Sequence, residues 1–140
     1  GPVPVGDETG FSLPSDFMEW KATCHHKHNL MKFGENFKAL YKKQYLYMMY
    51  VWGHSYEFEN DNNWNLMDEF CSLIGGQDDI WYATNIEIVD YMDVFDRLQF
   101  AADLSFVYNP SAASAWLIIN DTHVVEVKGG TTVDLKQYDN

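Results

Sequence analysis

The 140-residue sequence predicts an α/β fold with a short antiparallel β-rich appendage at its carboxyl end. Residues 44–52 (QYLYMMYVW) are almost entirely apolar without alternation, which is typical of a strand buried on both faces of a helix-covered parallel sheet. Helical patterns alternate with apolar runs up to residue 103. Short β-rich runs separated by turn residues follow, and we expect them to form an antiparallel meander.

Spacing and capping residues predict the helices. After Asn29, an N-cap residue, apolar side chains recur at helical intervals, and Thr84 with Glu87 forms a capping box before the last helix. Gly75-Gly76 is expected to end the middle helix in a left-handed cap. The expected α/β elements are a helix at 29–42, a strand at 44–52, a loop at 54–63, a helix at 63–74, a strand at 80–83 and a helix at 85–101.

Three regions follow from this pattern. Residues 1–15 are an extended lead-in, in which Gly1-Pro2 is typical of the scar of a cleaved affinity tag. Residues 16–103 are the α/β part and residues 104–136 the β-rich tail. The strands expected in the tail lie at 105–108, 115–119, 123–127 and 131–135.

Two parallel strands alone would leave unpaired edges and uncovered apolar faces. Either the amino-terminal segment supplies another strand, the tail or a second copy covers the gap, or more chain completes the fold. Exposed sheet edges would also allow a homo-oligomer to form.

The charge balance narrows the classes of partner. The net charge is −12, from 21 acidic and 9 basic residues, which disfavours nucleic acid and anionic membrane surfaces as partners. The charge is compatible with neutral ligands such as sugars, which aromatic-rich surfaces often bind. No apolar run reaches the ~18 residues of a membrane-spanning helix, so we expect a soluble protein, cytoplasmic or extracellular.

His54 is the leading candidate for a functional residue. It follows the predicted strand 44–52, at the carboxyl edge where α/β proteins place their chemistry. Its imidazole can exchange protons near neutral pH, and Tyr56 and Glu57 follow closely. The alternative is a loop histidine bonded to a backbone carbonyl.

Cys24, His25, His26 and His28 offer sulfur and imidazole ligands of the kinds that zinc prefers. Adjacent histidines do not easily point at one ion, and no fourth ligand stands at a suitable spacing. These residues are candidates only, and the sequence assigns no metal site to this chain. Cys24 and Cys71 are expected to be free thiols, with a disulfide between them as the alternative.

Three stretches resemble the carboxyl-terminal half of a polysaccharide deacetylase, the NodB-homology family (carbohydrate esterase family four), in a clostridial-type bacterial branch. The resemblance spans about residues 10–135 and implies the second half of a distorted (β/α) barrel. The stretches, in order, are FSLPSDFMEWKATCHH at 11–26, YVWGHSYEFE at 50–59 and DDIWYATNIEIVDYM at 78–92.

The resemblance implies a hydrolase that removes acetyl groups from N- or O-acetylated carbohydrate. In that family a divalent metal such as zinc polarises the acetyl carbonyl and activates water, an aspartate takes the water's proton, and a late histidine protonates the leaving group. His54 stands at the position of that histidine, with Trp20, Tyr56 and Glu57 as substrate-binding neighbours.

The family's metal ligands and base lie in its amino-terminal half. This sequence has no TFDDG-like segment and no HxxxH motif. We therefore expect no cofactor in this chain and no deacetylase activity without the missing half. The alternative is a non-catalytic carbohydrate-binding or self-associating module, which the aromatic content of 16% favours.

Overall fold

The computed structural model describes residues 8–42, 45–120 and 122–138, and the chain forms two compact units that divide between Trp81 and Tyr82. The fold is mixed α/β, as predicted, with four α-helices and three small sheets in these ranges. None of the sheets in the described ranges closes into a barrel. The grouping differs from the sequence-based one, which extended the α/β part to residue 103.

The elements are short, with three of the four α-helices in the first unit and five of the seven strands in the second. The helices are α1 (Leu30–Ala39), α2 (Ser55–Asp61), α3 (Trp64–Ile74), α4 (Asn85–Asp96) and a terminal 3-10 turn (Lys136–Tyr138). The strands are β1 (Cys24–His25), β2 (Val51–Trp52), β3 (Gln99–Phe100), β4 (Phe106–Tyr108), β5 (Ala115–Ile119), β6 (His123–Val127) and β7 (Thr132–Asp134).

Helices α1 and α3 pack closely in the first unit, because Gly34 of α1 lies against the Phe70 ring of α3. A Cβ at Gly34 would come within 2.9 Å of that ring, so the glycine that weakens the helical pattern permits the close approach. Both predicted helices are present, although α1 ends at Ala39 and not at residue 42. Asn29 does precede α1, but its side chain makes no capping hydrogen bond.

The predicted lead-in supplies a core residue. Residues 1–7 lie outside the described ranges, but Phe11 is fully buried and packs on Phe33 and Phe37 of α1. The Phe11 carbonyl accepts the Met48 N–H at 2.8 Å, which ties this segment to the apolar run after α1. Burial of one aromatic ring thus orders a stretch whose glycines and prolines predict no regular structure.

The strand predicted at 44–52 is wrong except for its last two residues. Gln44 lies outside the described residues, and residues 47–50 have no regular structure although Met48 is buried. A short apolar run identifies a buried segment without identifying its backbone. A strand that the sequence pattern did not predict, β1, precedes the first helix and pairs in parallel with β2, with Cys24 opposite Val51.

Two further predictions are wrong. The loop predicted at 54–63 contains α2, which buries only Phe58 and therefore has no apolar stripe to reveal it. Residues 80–83 are irregular instead of a strand, with Trp81 and Tyr82 exposed.

Helix α4 begins at the predicted capping box, where the Thr84 hydroxyl accepts the Glu87 N–H and the Glu87 carboxylate accepts the Thr84 N–H. It ends at Asp96 and not at residue 101, because Gln99–Phe100 pairs with β4.

The second unit is the β-rich tail together with α4. The four predicted strands are present, but they do not form one meander: β4 pairs with β3 and β7, and β5 pairs with β6 in a separate hairpin. Apolar side chains from α4 and the strands share one core. Its buried members are Val94, Leu98, Val107, Ala115, Val127 and Leu135.

Asn109 connects these strands from a fully buried position. Its side-chain amide donates to the carbonyls of Ala113 and Val127 at 2.8 and 2.9 Å, and its carbonyl accepts the Ser111 N–H at 2.9 Å. Where β4 ends, the Asn109 side chain therefore makes hydrogen bonds in place of a neighbouring strand. These bonds replace the hydrogen bonds to water that the buried amide loses on folding.

We predict that Asn109→Ala lowers the free energy of unfolding by about 1–3 kcal/mol, since it removes the amide donor of the buried hydrogen bond to the Val127 carbonyl. Urea denaturation of the purified chain measures this change. Asn65→Ala, on the exposed surface of α3, is the matched control and should change stability by less than ~0.5 kcal/mol. Equal effects of the two substitutions would contradict a special role for the buried amide.

Candidate functional site

The parallel pairing of β1 with β2 creates the candidate site. His25 lies opposite Trp52, so the chain leaves both strands at the same edge of this small sheet. His54 follows two residues later and is the N-cap residue of α2. Two histidines that are far apart in sequence therefore lie beside each other at the carboxyl ends of two strands, as α/β proteins arrange functional groups.

The carboxylate of Glu57 joins these two histidines. Its Oε1 atom lies 3.2 Å from Nε2 of His25 and 2.9 Å from Nδ1 of His54, and it accepts the backbone N–H of His54 at 3.1 Å. The last of these bonds fixes the start of α2, where an acidic group also complements the helix dipole. One oxygen thus has three donors, each from a group held by β1 or by the first turn of α2.

The other carboxylate oxygen of Glu57 forms an ion pair with a lysine side chain. The Nζ atom of Lys27 lies 2.9 Å from Oε2 of Glu57 and 3.2 Å from Oδ2 of Asp61. The hydrogen bond from Lys27, followed by those from His54 and His25, holds the pKa of Glu57 well below its ordinary value despite partial desolvation. Glu57 is therefore an anion at neutral pH, and both of its carboxylate oxygens accept hydrogen bonds.

The hydrogen bonds determine which nitrogen of each neutral imidazole carries the proton. Nδ1 of His25 accepts the backbone N–H of Lys27 at 3.1 Å, so its proton is on Nε2, facing Glu57. His54 has the opposite arrangement, because an ionised carboxylate only accepts and Nδ1 must therefore donate to it. Among the described residues, Nε2 of His54 has no hydrogen-bond partner, and this side chain is 54% exposed.

Two exposed aromatic rings contact the imidazole of His54. The Tyr56 ring is stacked on the imidazole at a centroid distance of 5.1 Å, and Trp52 meets it edge-on at 5.9 Å. Trp52 and Tyr56 are 49% and 59% exposed, respectively. A polar, proton-exchanging ring flanked by exposed aromatic faces suits a ligand that has both apolar faces and hydroxyl groups.

His26 lies beside this cluster, with its ring 4.3 Å from that of His25, but it donates no hydrogen bond to Glu57. It is 1% exposed and stacked on Phe58, with the centroids 4.0 Å apart, and neither ring nitrogen has a hydrogen-bond partner in the described part of the chain. Burial lowers the pKa of His26, so its ring is neutral at pH 7. A Cβ at Gly53 would overlap this ring, which explains why a glycine precedes His54.

The structure brings together only part of the predicted set. His54, Tyr56 and Glu57 are neighbours, whereas Trp20 packs on Phe17 and Tyr50 and donates its indole N–H to the Phe17 carbonyl.

Of the candidate metal ligands, only His25 joins the cluster. Cys24 and Cys71 are free, as expected, and burial raises the pKa of the Cys24 thiol, which lies in the core with Leu30 and Phe70. The His28 ring lies 5.6 Å from that of His25, outside the group of donor atoms around Glu57.

Sequence reasoning missed Lys27 and placed Glu57 among the substrate-binding residues, not as the hydrogen-bond partner of the two histidines. The spacing His54-x-x-Glu57 follows the pattern of a capping box with histidine at its first position, and this signal would have revealed both α2 and the carboxylate's direction. The partnership of His25 with His54 depends on the register of β1 and β2, which the sequence does not indicate.

His25, His54 and Glu57 are also the described residues that could hold a metal ion, since one donor atom of each lies within 4.8 Å of the others. The resemblance implies a divalent metal, but its expected ligands belong to motifs that this sequence lacks. Two imidazoles and a carboxylate nevertheless fit a divalent ion of the zinc type by their chemistry.

Comparisons with known proteins identify no family. No protein-family model matches the chain, and neither the curated proteins nor the solved structures include a match. Within the described ranges, no helix is both long and apolar enough to cross a membrane.

We predict that Glu57→Gln destabilises the protein at pH 7 and that its difference from the unchanged protein narrows in acid. The pKa of Glu57 is lower in the folded than in the unfolded chain, so its ionised form stabilises the fold. That contribution is complete above the ordinary pKa of 4.5 and disappears as the pH falls through the lower folded value.

Melting temperatures measured between pH 7 and pH 3 test this expectation. Glu59→Gln, on the exposed side of the same helix, is the control and should leave the profile unchanged. A destabilisation by Glu57→Gln that stays constant over this range would rule out an ionic role for Glu57.

Proposed function

We propose that this chain is the carboxyl-terminal portion of a polysaccharide deacetylase-like hydrolase, and that His54 donates the proton to the leaving group of an acetylated sugar. The observation that carries the proposal is the pairing of His54 with Glu57. The carboxylate fixes Nδ1 as a donor and leaves Nε2, on an exposed ring, for a reacting group. The choice of family rests on the resemblance of residues 11–26, 50–59 and 78–92 to polysaccharide deacetylases.

In this role His54 acts through Nε2. When the ring is doubly protonated, Nε2 releases its proton to the departing nitrogen or oxygen, while the bond from Nδ1 to Glu57 keeps the ring in place. Glu57 thus positions the imidazole and does not touch the substrate, in contrast to the expectation from sequence. The metal of the complete domain would polarise the acetyl carbonyl, and its ligands are expected outside this chain.

The surroundings of His54 support a carbohydrate as the substrate. The rings of Trp52 and Tyr56 provide flat apolar faces of the kind that stack on pyranose rings. The net charge of −12 favours a neutral N-acetylated chain over a phosphorylated one. The second half of a (β/α) barrel is the architecture that we propose for the complete domain, in which β1 and β2 would be two adjacent parallel strands.

Nuclear magnetic resonance with chitopentaose tests substrate recognition directly. We expect the imidazole signals of His54 and the ring signals of Tyr56 to shift with chitopentaose more than with cellopentaose, a neutral pentasaccharide without acetamido groups. The His123 signals of the second unit serve as an internal control. Shifts that avoid His54, or that are equal for the two sugars, would contradict the proposed site.

Acetate release tests the reaction itself. We expect none from the purified chain with chitopentaose and added zinc or cobalt, because the family's metal ligands and base are missing. Release that His54→Ala abolishes would support the reaction but contradict the need for a second half. Release that His54→Ala leaves unchanged would contradict the role of His54.

A non-catalytic carbohydrate-binding module is the second candidate, and the exposure of Trp52 and Tyr56 favours it. In that case retention on chitin or peptidoglycan should survive His54→Ala. Trp52→Ala should weaken retention about threefold to tenfold, in line with the loss of one stacking contact. Phe100→Ala, an exposed ring of the second unit, is the control and should have no effect. Loss of retention with His54→Ala alone would favour the hydrolase.

A further inference from the structure

We propose that His25, His54 and Glu57 form a binding site for one zinc-type divalent ion, with Nε2 of His25, Nδ1 of His54 and one oxygen of Glu57 as ligands and a fourth position open to solvent. This inference goes beyond the proposed hydrolase, whose expected metal ligands lie outside this chain. It rests on the positions of these three donor atoms.

The distances among the donor atoms suit tetrahedral coordination. Zinc binds nitrogen and oxygen ligands at about 2.0–2.1 Å, which in a tetrahedron places neighbouring ligand atoms about 3.3 Å apart. Oε1 of Glu57 lies 3.2 Å from Nε2 of His25 and 2.9 Å from Nδ1 of His54. The three atoms lie within 4.8 Å of one another, so small side-chain movements would open the space for an ion.

The ligand set selects the class of metal. Two imidazoles with one carboxylate is a set found in catalytic zinc sites, where water takes the fourth position. Magnesium and calcium prefer sites made only of oxygen ligands. The side chains of His25 and Glu57 are 10% and 12% exposed, whereas that of His54 is 54% exposed. Two ligands are therefore held inside the protein, and the third leaves a path for the ion.

The local charge allows a cation to bind. With neutral imidazoles, the cluster of Glu57, Lys27 and Asp61 carries one net negative charge. Lys27 already contacts Asp61 at 3.2 Å, so it keeps a carboxylate partner when Glu57 turns toward a metal. The ion then takes the place that two N–H protons occupy between the imidazoles and the carboxylate.

Metal binding requires a specific exchange of protons. A coordinating nitrogen must present a lone pair, so the proton of His25 must move from Nε2 to Nδ1 and the proton of His54 from Nδ1 to Nε2. The change in His25 breaks its bond with the Lys27 N–H, which lies in an exposed turn. The two rings thus change tautomer in opposite directions, which binding at any other site would not produce.

Titration of the tag-free chain with zinc alone tests the proposal. We expect one equivalent to bind, measured by calorimetry and elemental analysis, and nitrogen-detected resonance spectra to show the opposite tautomer changes of His25 and His54. His54→Ala should weaken binding at least about tenfold. Because the His54 side chain is half exposed, its truncation should preserve the fold, which circular dichroism verifies.

His28→Ala and Cys24→Ser are the matched controls, since both residues lie in or beside β1 but outside the three-ligand set. Both variants should retain the affinity of the unchanged chain. Zinc binding that either control abolishes, or that His54→Ala leaves within about twofold, would overturn the proposal, as would a chain that binds no zinc. No sugar is present in this experiment, so the metal site and the proposed hydrolase can fail independently.

Discussion

One carboxylate holds the candidate site together. Glu57 accepts hydrogen bonds from both histidines and from the backbone of His54, and forms an ion pair with Lys27. These contacts join the end of β1, the turn after it and the first turn of α2. Burying an anion is unfavourable unless donors surround it, and here they come from three segments at once. The position of each imidazole therefore depends on the same side chain.

The two roles that we propose for the cluster differ in whether Nδ1 of His54 carries a proton. When Nδ1 of His54 carries a proton, Glu57 holds the ring and Nε2 faces a ligand. When Nδ1 holds a metal, the ring is neutral and its Nε2–H is a poor acid, because the second proton is no longer there to release. Zinc bound to this chain would therefore oppose the proton transfer that we propose for His54, so the two proposed roles exclude each other in one molecule at one time.

The sequence predicts those parts of the fold whose signals are local. Apolar spacing identifies α1 and α3, the Gly75-Gly76 pair identifies the end of α3, a capping box identifies the start of α4, and short β-rich runs between turn residues identify β4 to β7. Helix α2 escapes prediction because its residues are mostly polar and exposed. The apolar run at 44–52 misleads, because burial of Met48 against the Phe11 segment does not require a β ladder.

In the candidate site, too, the sequence predicts what depends on local signals and misses what depends on long-range pairing. His54 could be predicted, since it stands where an apolar run ends at a glycine. Its partnership with His25 could not, because it arises from the pairing of Cys24 with Val51 across a long intervening segment. Long-range register of two-residue strands leaves almost no trace in composition or periodicity. The adjacent histidines were not expected to share a metal ion, and only His25 contacts Glu57. The His26 ring lies 4.3 Å from the His25 ring and stacks on Phe58.

The close approach of Gly53 to the His26 ring means that substitutions at these two positions depend on each other. The ring occupies the space that any side chain at position 53 would need. A lineage that gained a larger residue at 53 would first have to lose the ring at 26, and a lineage that replaced the ring would be released from the requirement for glycine. Related chains should therefore change at these two positions together, so that covariation between 26 and 53 would record a packing constraint and not a shared chemical role.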